Sequence, residues 1–431
     1  MYYKEYLAKF NQNEILNKGF SALVLRVLGM AFAYIFLILV TSTSGAETWG
    51  IFALCLGVLN IACIISKFGL DLSLVKLVSI NNKSKEKVKG LYFQSILIVI
   101  IISSLITLLI YFSSTYIASE FFLKPHMHSF IKMISFLVLP YSLLSINASI
   151  FRGLKKTKIF VFFKFTTNFI FAILIYFLII NLDHDLVLHE IPIWAFGIGI
   201  IVSLILSCVF IFNLLKNSDQ NENIISYKYL LKTSYPMMLS AAALLLLSWV
   251  DTLMIGRYQT ESDVGIYNVA VRVATLTSIV MTAVGAILGP KIAESYANAR
   301  IDELKPLWRK SRVLIFGCTL PILVVLAIFP SFFLSIFGDE FIMAKNAFMI
   351  LLVAQLITVF FGPVGLFLQM SGNEIVFQKI ILSAVILNII LNLVLIPYLG
   401  IVGAAISSLI SMFLMSFLSH LCINRMLIII E

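Results

Sequence analysis

Charged residues are scarce in this chain, and acidic residues are the scarcer kind. Only 12% of the 431 residues are charged, with 21 aspartates and glutamates against 31 lysines and arginines. This low charged fraction, beside 61% hydrophobic residues and a mean hydropathy of +1.04, excludes a soluble globular domain. The polar segments between the apolar stretches are short, which leaves no room for a soluble catalytic or nucleotide-binding domain.

Signatures of cofactor and metal chemistry are missing as well. The chain has no G-x-x-x-x-G-K-[ST] phosphate loop, which argues against an ATP-driven pump, and we expect no cofactor. The five cysteines show no C-x-x-C spacing, and a surface metal site at the two histidine pairs of the outer loops is only the weaker alternative for the five histidines. We expect the histidines to be solvated mainly in loops: His126, His128, His184, His189 and His420. We expect the cysteines to be core thiols without disulfides or metal: Cys55, Cys63, Cys208, Cys318 and Cys422.

Long apolar stretches follow one another along the chain, each close to the roughly 20 residues that a membrane-spanning helix needs. They lie at 17–41, 49–68, 90–112, 130–150, 159–181, 192–214, 230–256, 264–290, 312–333, 345–369, 376–396 and 402–423. Because the bilayer holds no water to satisfy backbone hydrogen bonds, spans of this length must be helical. We therefore predict an all-α polytopic membrane protein with about twelve transmembrane helices.

The basic residues alternate along the chain in a way that sets orientation. Most of the 31 lie at the N terminus and in every second gap between spans, whereas the intervening gaps hold only Lys124, Arg257 and Lys345. By the positive-inside rule, both termini are cytoplasmic. The net charge of +10 follows from these loops, so it indicates topology and anionic lipid headgroups rather than a nucleic-acid partner. The first apolar run is too long for a signal peptide, so we expect it to stay as an anchor.

The two halves of the sequence resemble each other, which indicates an internal duplication. Segment 45–52, which opens the second span, resembles segment 261–267, which opens the eighth. Because each half contains an even number of spans, both halves have the same orientation, and paired six-helix bundles of this kind enclose a central cavity. We predict an N-terminal six-helix lobe at 1–216, a cytoplasmic linker at 217–227 and a C-terminal six-helix lobe at 228–431.

Four basic residues interrupt the apolar stretches: Arg26, Lys132, Lys164 and Arg272. A charged side chain at the bilayer centre costs roughly 2.5–3.5 kcal/mol, so it normally faces a bundle interior or an aqueous path. Lys132 and Lys164 lie near span ends, where each either lines the cavity or extends to the membrane interface. Arg26 and Arg272 lie deeper, and we interpret them as cavity cations.

Polar residues accompany Arg272 at helical spacing. Asn268, Thr275 and Thr282 share its helix face, which is typical of a water-lined surface, although a structural ion pair is the alternative. A carboxylate, Asp251, also lies well inside a span. We interpret Asp251 and Asn268 as a candidate ion or partner site, with Asp251 acting as a cation or proton site, a partner of a nearby arginine, or an interfacial polar residue.

Two arginines converging from opposite halves form a bidentate, permanently charged receptor for phosphate or pyrophosphate. We therefore predict an anionic cargo, bound by Arg26 and Arg272 with Lys164 and Lys132 as further substrate-binding cations.

Several short segments, in order, resemble a known family. They are 45–52, 68–71, 151–156, 251–256, 264–270 and 363–372. In this order and spacing the chain resembles the polysaccharide flippases of the multidrug/oligosaccharidyl-lipid/polysaccharide exporter superfamily, the Wzx-type translocases of O-antigen and lipopolysaccharide biosynthesis. The resemblance implies a transporter that moves an undecaprenyl-diphosphate-linked oligosaccharide repeat unit from the cytoplasmic to the periplasmic leaflet by alternating access.

The resemblance also implies a location and partners. The location is the bacterial inner membrane, and the partners are the lipid-linked oligosaccharide, membrane lipids, a polysaccharide polymerase and a chain-length regulator. Two alternatives stay open. One is a cation-coupled multidrug exporter of the same superfamily, and the other is a membrane-embedded polysaccharide polymerase or ligase.

Overall fold

The computed structural model describes residues 2–82, 84–182, 188–216, 226–298 and 301–429. All regular secondary structure in these ranges is helical, which confirms the predicted all-α class. His184 and most of the predicted linker at 217–227 lie outside the described residues.

The helices follow one another with short connections. The first part of the chain forms α1 (Tyr2–Lys67), α2 (Leu70–Ile80), α3 (Lys85–Tyr116), α4 (Met127–Ser135), α5 (Val138–Gly153), α6 (Thr157–Val161), α7 (Thr167–Leu182), α8 (Ile191–Leu215) and α9 (Tyr227–Tyr258). The rest forms α10 (Glu261–Thr275), α11 (Ser278–Ala297), α12 (Ile301–Ile328), α13 (Pro330–Ser335), α14 (Lys345–Phe361), α15 (Val364–Met370) and α16 (Glu374–Ile429). Shorter turns are π-helical at Ile117–Phe121 and Phe162–Thr166 and 3-10 at Asp339–Ala344.

Two helices are long enough to cross a bilayer twice. The apolar part of α1 is 44 residues long and that of α16 is 54, whereas a hydrocarbon core of about 30 Å needs about 20 residues. Each contains a glycine in the left-handed region, Gly45 in α1 at φ 78° and Gly400 in α16 at φ 55°. Only glycine adopts this backbone without strain, so each marks the turn between two predicted spans.

Bends account for two further spans. Within the described residues, eight helical segments are long and apolar enough to cross a membrane, and two bent pairs pass the same test together. In one pair α4 and α5 are bent by 41°, and in the other α10 meets the first part of α11 at 44°. With α1 and α16 each crossing twice, these helices accommodate the twelve predicted spans.

The helices pack into two compact units. The first unit contains Met1–Ser44 and Cys55–Ala242, and the second contains Gly45–Leu54 and Ala243–Glu431. The short segment Gly45–Leu54 therefore packs with residues that come some 200 positions later in the chain. These units are defined by packing, and the division into lobes at 1–216 and 228–431, which follows chain order, stays a prediction.

Each unit has an apolar core of its own. In the first unit, buried side chains from α2, α3, α5 and α8 meet around Leu74, Val99 and Phe151. In the second, side chains from α12, α15 and α16 meet around Trp308, Phe367 and Ile381. Large apolar side chains are also exposed, as a lipid solvent allows.

The five cysteines are free thiols in the structure, and their burial differs. Cys55 and Cys63 are buried, whereas Cys208 and Cys318 are exposed and Cys422 is half-buried. The expectation of a core position is wrong for Cys208 and Cys318, because both are exposed, although Cys208 Sγ at the edge of α8 accepts a hydrogen bond from Asn147 Nδ2 of α5 at 3.3 Å. An apolar stretch alone does not distinguish a lipid-facing position from a core position, since both solvents are apolar.

Candidate functional site

A close backbone approach brings together the two segments that the internal repeat relates. A Cβ atom added to Gly50 would lie 1.7 Å from the carbonyl oxygen of Glu261, and one added to Gly265 would lie 2.0 Å from that of Ala46. Neither position therefore tolerates a larger residue without a shift of the backbone. Within the second unit, this contact fixes the start of the second span against the start of α10.

The contact places Trp49 next to Asn268 and Arg272. Asn268, which is 5% exposed, accepts hydrogen bonds on its Oδ1 from Trp49 Nε1 at 3.1 Å and from Arg272 Nε at 3.0 Å. The guanidinium carbon of Arg272 also lies 5.2 Å from the centre of the Trp49 ring. The indole face and the amide together fix the plane of the half-buried guanidinium. We call Trp49, Asn268 and Arg272 the Arg272 triad.

The threonines predicted to share the face of Arg272 bond to backbone. Thr275 donates its hydroxyl to the carbonyl of Arg272 at 2.9 Å, and Thr282 donates to that of Ser278 at 3.0 Å. Between them the helix axis changes direction by 44°. Thr275 thus caps a carbonyl next to this bend, and Arg272 lies in the last turn before it.

The second unit also contains a buried carboxylate cluster around Asp251, which is 6% exposed. Its oxygens accept hydrogen bonds from Tyr267 Oη at 2.9 Å, Asn388 Nδ2 at 3.0 Å, Asn392 Nδ2 at 2.6 Å and Ser408 Oγ. We call these five residues the Asp251 cluster. Its partners are neutral, and they come from α10 and α16.

One acceptor in the Asp251 cluster has no partner. Asn392 Oδ1 is buried and makes no hydrogen bond within the described part of the chain. An unsatisfied buried acceptor is costly, so its presence beside a carboxylate makes the Asp251 cluster a candidate site. The spacing of Asn388 and Asn392, four residues apart in an apolar helix, is the sequence feature that would have identified this cluster.

In the first unit, Arg26 lies beside the π-helical turn Phe162–Thr166. Its guanidinium carbon is 5.3 Å from the centre of the Phe165 ring. One turn along α1, a Cβ added to Gly29 would lie 2.9 Å from Thr166 Oγ1 and 3.0 Å from the carbonyl oxygen of Phe165. The small residue lets α1 approach the turn, and this approach brings Arg26 over the ring.

Lys164 belongs to the same π-helical turn. Its Nζ donates a hydrogen bond to Ser145 Oγ of α5 at 3.0 Å, and it is partly buried. The neighbouring hydroxyls of Thr166 and Thr167 are buried without partners in the described residues. The turn therefore presents a cation and unsatisfied polar groups inside the first unit.

An ion pair lies close to Lys164. Lys67 Nζ is 3.0 Å from Asp71 Oδ2, and both side chains are largely buried, at 11% and 20% exposed. Burial alone would raise the pKa of the Asp71 carboxyl, but the charges of Lys67 and Lys164 outweigh burial and hold that pKa below its ordinary value. Arg152 adds a fourth positive charge, which repels those of Arg26 and Lys164.

We call this set the first-unit basic cluster: Arg26, Lys67, Arg152 and Lys164, with Asp71 as its carboxylate. Sequence reasoning selected only Arg26 and Lys164, because Lys67 and Arg152 lie at span ends and count there toward topology. The available signal was the i, i+4 spacing of Lys67 and Asp71 beside a predicted span.

Lys132, the fourth predicted cation, lies elsewhere in the first unit. Its Nζ is 4.4 Å from the centre of the Tyr111 ring, and both residues line a cavity between α3, α4 and α8. Arg26 and Arg272 belong to different units. No group of three or more metal-ligating side chains occurs among the described residues.

A comparison with protein families supplies the context for these sites. Residues 15–295, about two thirds of the chain, match the family model described as polysaccharide biosynthesis protein. The chain belongs to this family. The membership confirms the resemblance inferred from the sequence. A second model, described as MatE, matches residues 236–394.

A curated relative and two solved structures add detail. Over 165 residues the chain is 28% identical to the probable low-salt glycan biosynthesis flippase Agl15 of Haloferax volcanii, a match that covers 38% of this chain but only 35% of that protein. The lipid II flippase MurJ in an inward closed conformation superposes with a TM-score of 0.75 at 15% identity, covering 95% of this chain and 87% of that one.

The second structure is the inward-facing conformation of a multidrug resistance MATE family transporter of the MOP superfamily. It superposes with a TM-score of 0.74 at 13% identity, covering 95% of this chain and 98% of that one. At such identities the two structures show that the fold is shared.

Proposed function

We propose that this protein is a flippase that moves an undecaprenyl-diphosphate-linked oligosaccharide repeat unit from the cytoplasmic to the periplasmic leaflet by alternating access. The observation that carries the proposal is the first-unit basic cluster, in which Lys67 and Lys164 lie beside Asp71 and the charge of Arg152 acts on both Lys164 and Arg26. Lys67 and Lys164 are partly buried in the unit, whereas Arg26 and Arg152 are exposed beside them, and this surplus of positive charge around one carboxylate favours an anion that offsets it. Membership of the polysaccharide biosynthesis family and the glycan flippase relative support the same cargo.

The basic cluster suits a diphosphate. Arginines bind phosphate oxygens with two parallel N–H groups, and lysines act as point charges, so Arg26 and Arg152 would orient the diphosphate while Lys164 neutralises it. The Lys67–Asp71 pair lies beside Lys164, and the Asp71 carboxylate offsets one of the positive charges that would bind the diphosphate. We assign the Arg272 triad to the same cargo in the second unit, where the indole of Trp49 also offers a face to a sugar ring.

We propose the Asp251 cluster as the coupling site, which takes up a monovalent cation or a proton. A carboxylate surrounded by two amides and two hydroxyls resembles the all-oxygen ligand sets that hard cations prefer, once the amides rotate to present Oδ1. The unpartnered Asn392 Oδ1 supports this reading. A proton would serve in its place by neutralising the buried carboxylate.

Location and protein partners follow from the proposed cargo. We place the protein in a bacterial inner membrane with both termini in the cytoplasm, as the alternation of basic loops indicates. A polysaccharide polymerase and a chain-length regulator would act on the delivered units in O-antigen and lipopolysaccharide biosynthesis.

A second candidate, a cation-coupled multidrug exporter, is favoured by the MatE match at residues 236–394. Deleting the gene separates the two functions. Loss of a flippase leaves single lipid-linked repeat units facing the cytoplasm and removes surface polysaccharide, whereas loss of an exporter changes only drug sensitivity. Normal surface polysaccharide together with drug hypersensitivity would overturn the flippase proposal.

A further inference from the structure

A cavity of about 460 Å³ opens in the first unit where the α4–α5 span bends. Its lining comes from α3, α4, the junction between α4 and α5, and α8. The lining residues that matter are Tyr111, His128, Lys132, Phe136, Trp194 and Ile201. Arg26, Lys164 and Lys67 do not line it, so it is separate from the first-unit basic cluster.

The bend explains why the cavity exists. Phe136 and Leu137 lie in the break between α4 and α5, where the helix axis turns by 41°. On the opposite wall, α8 approaches closely at Gly197, where an added Cβ would lie 2.9 Å from Leu137 Cδ2. Around this contact the walls of the cavity are apolar and reach the surface of the bundle, where Phe136 is 59% and Ile201 43% exposed. The result is a narrow apolar groove along the surface of the bundle.

One end of the groove is polar and basic. Lys132 lies there with its Nζ over the Tyr111 ring, and His128 and Ser129 occupy the preceding turn of the same helix. Trp194, 47% exposed, flanks them from α8. Tryptophan and tyrosine prefer the headgroup level of a membrane, so this end lies at an interface while the rest of the groove lies in the hydrocarbon.

We propose that this groove binds one anionic phospholipid, with its phosphate at Lys132 and an acyl chain along Phe136, Ile198 and Ile201. The shape is amphiphilic and the charge at its polar end is positive, so an anionic headgroup complements it better than a zwitterionic one. By the predicted orientation, the lipid belongs to the periplasmic leaflet. The site is a resident-lipid site on the outside of the bundle and adds a partner to the transporter beyond its cargo.

Trp194 provides a direct test, because it lines the groove. The full-length protein is reconstituted in phosphatidylcholine bilayers that contain a small fraction of brominated phosphatidylglycerol or brominated phosphatidylcholine. The emission of Trp194, taken as the difference between wild type and Trp194→Phe, reports which lipid occupies the groove. We expect the brominated phosphatidylglycerol to bind about fivefold better, the ratio that one lysine near a membrane surface provides.

Variants assign the preference to one side chain. Lys132→Ala should reduce the ratio to about one, whereas Lys132→Arg, which keeps the charge, should retain it. Lys124→Ala, which removes a lysine of the loop before α4 that does not line the groove, should leave the ratio unchanged. The far-ultraviolet circular dichroism spectrum and the elution profile show whether each variant is folded. If Lys132→Ala does not fold, the test rests on whether Lys132→Arg keeps the preference for the anionic lipid.

Three results would overturn the proposal. The first is equal quenching by the two lipids in the wild type, or a preference that persists in a folded Lys132→Ala variant. The second is displacement of the brominated lipid by millimolar inorganic phosphate, which would make this a free-anion site. The third is absence of quenching by either lipid together with dimers cross-linked through the groove, which would make it an interface between two copies of the chain.

Discussion

The guanidinium of Arg272 lies 5.2 Å from the centre of the Trp49 ring, and both residues bond to the same oxygen of Asn268. An arginine inside an apolar span is thus held by a neutral amide and an aromatic face. This arrangement fixes the direction of the guanidinium, which is what recognition of an anionic group requires.

Arg272→Ala should abolish surface polysaccharide without lowering the amount of protein, because it removes a charge and leaves the hydrogen bond between Trp49 and Asn268 in place. Arg272→Lys should retain part of the activity, since the charge stays but the planar contacts are lost. Surface polysaccharide in a deletion strain carrying each variant measures this, with immunoblots as the control for abundance. Wild-type polysaccharide with Arg272→Ala would remove this residue from the mechanism.

Gly50→Ala and Gly265→Ala should destabilise the protein, because the added methyl group meets backbone atoms at about the distance of a covalent bond. We expect a loss of at least about 1–3 kcal/mol, seen as a lower apparent melting temperature in detergent and reduced membrane abundance.

Gly90→Ala and Gly317→Ala are the matched controls, since a Cβ at either position has no neighbour within 4 Å. Alanine should be neutral or stabilise these helices by up to about 1 kcal/mol. Equal effects at all four glycines would contradict the close approach of segments 45–52 and 261–267.

These glycines also show what the sequence could and could not predict. Gly50 and Gly265 occupy equivalent positions in segments 45–52 and 261–267, so the sequence relates the two segments, and it also predicts the family and the helical class correctly. Sequence similarity does not predict that the segments touch, because contact between distant segments depends on how the helices pack. For the same reason Trp49, Tyr267 and Ser408 were missed, since each joins a candidate site only through neighbours far along the chain.

Charge in the first-unit basic cluster should control affinity for diphosphates. Lys164→Gln should weaken binding of farnesyl diphosphate about fivefold to tenfold, and added salt should reduce the difference. Asp71→Asn should strengthen binding, because it removes the one carboxylate of the cluster. Titration of detergent-solubilised protein measures both effects.

The double variant Lys67→Gln/Asp71→Asn is the control, since it removes the ion pair without changing the net charge. Its affinity should stay near that of the wild type. If Asp71→Asn and Lys164→Gln changed affinity in the same direction, the cluster would act through structure rather than through charge.

Asp251→Asn should abolish the dependence of transport on a cation gradient while leaving diphosphate binding unchanged, because the amide keeps the size of the side chain but not its charge. Transport by reconstituted protein under imposed sodium or proton gradients measures the effect and identifies the ion. Asn392→Leu, which removes the unpartnered Oδ1, should weaken the same dependence. Full gradient dependence in Asp251→Asn would exclude the cluster as the coupling site.

The most direct measurement follows a lipid-linked oligosaccharide across a bilayer. Proteoliposomes are prepared with the lipid in both leaflets, and a glycosidase that cannot cross the membrane is added outside. With wild-type protein nearly all of the oligosaccharide should become cleavable, because the inner pool moves outward as the outer pool is consumed. With the Arg272→Ala/Lys164→Gln variant cleavage should stop near half. If cleavage stopped near half with the wild type as well, the protein would not be a flippase for this cargo.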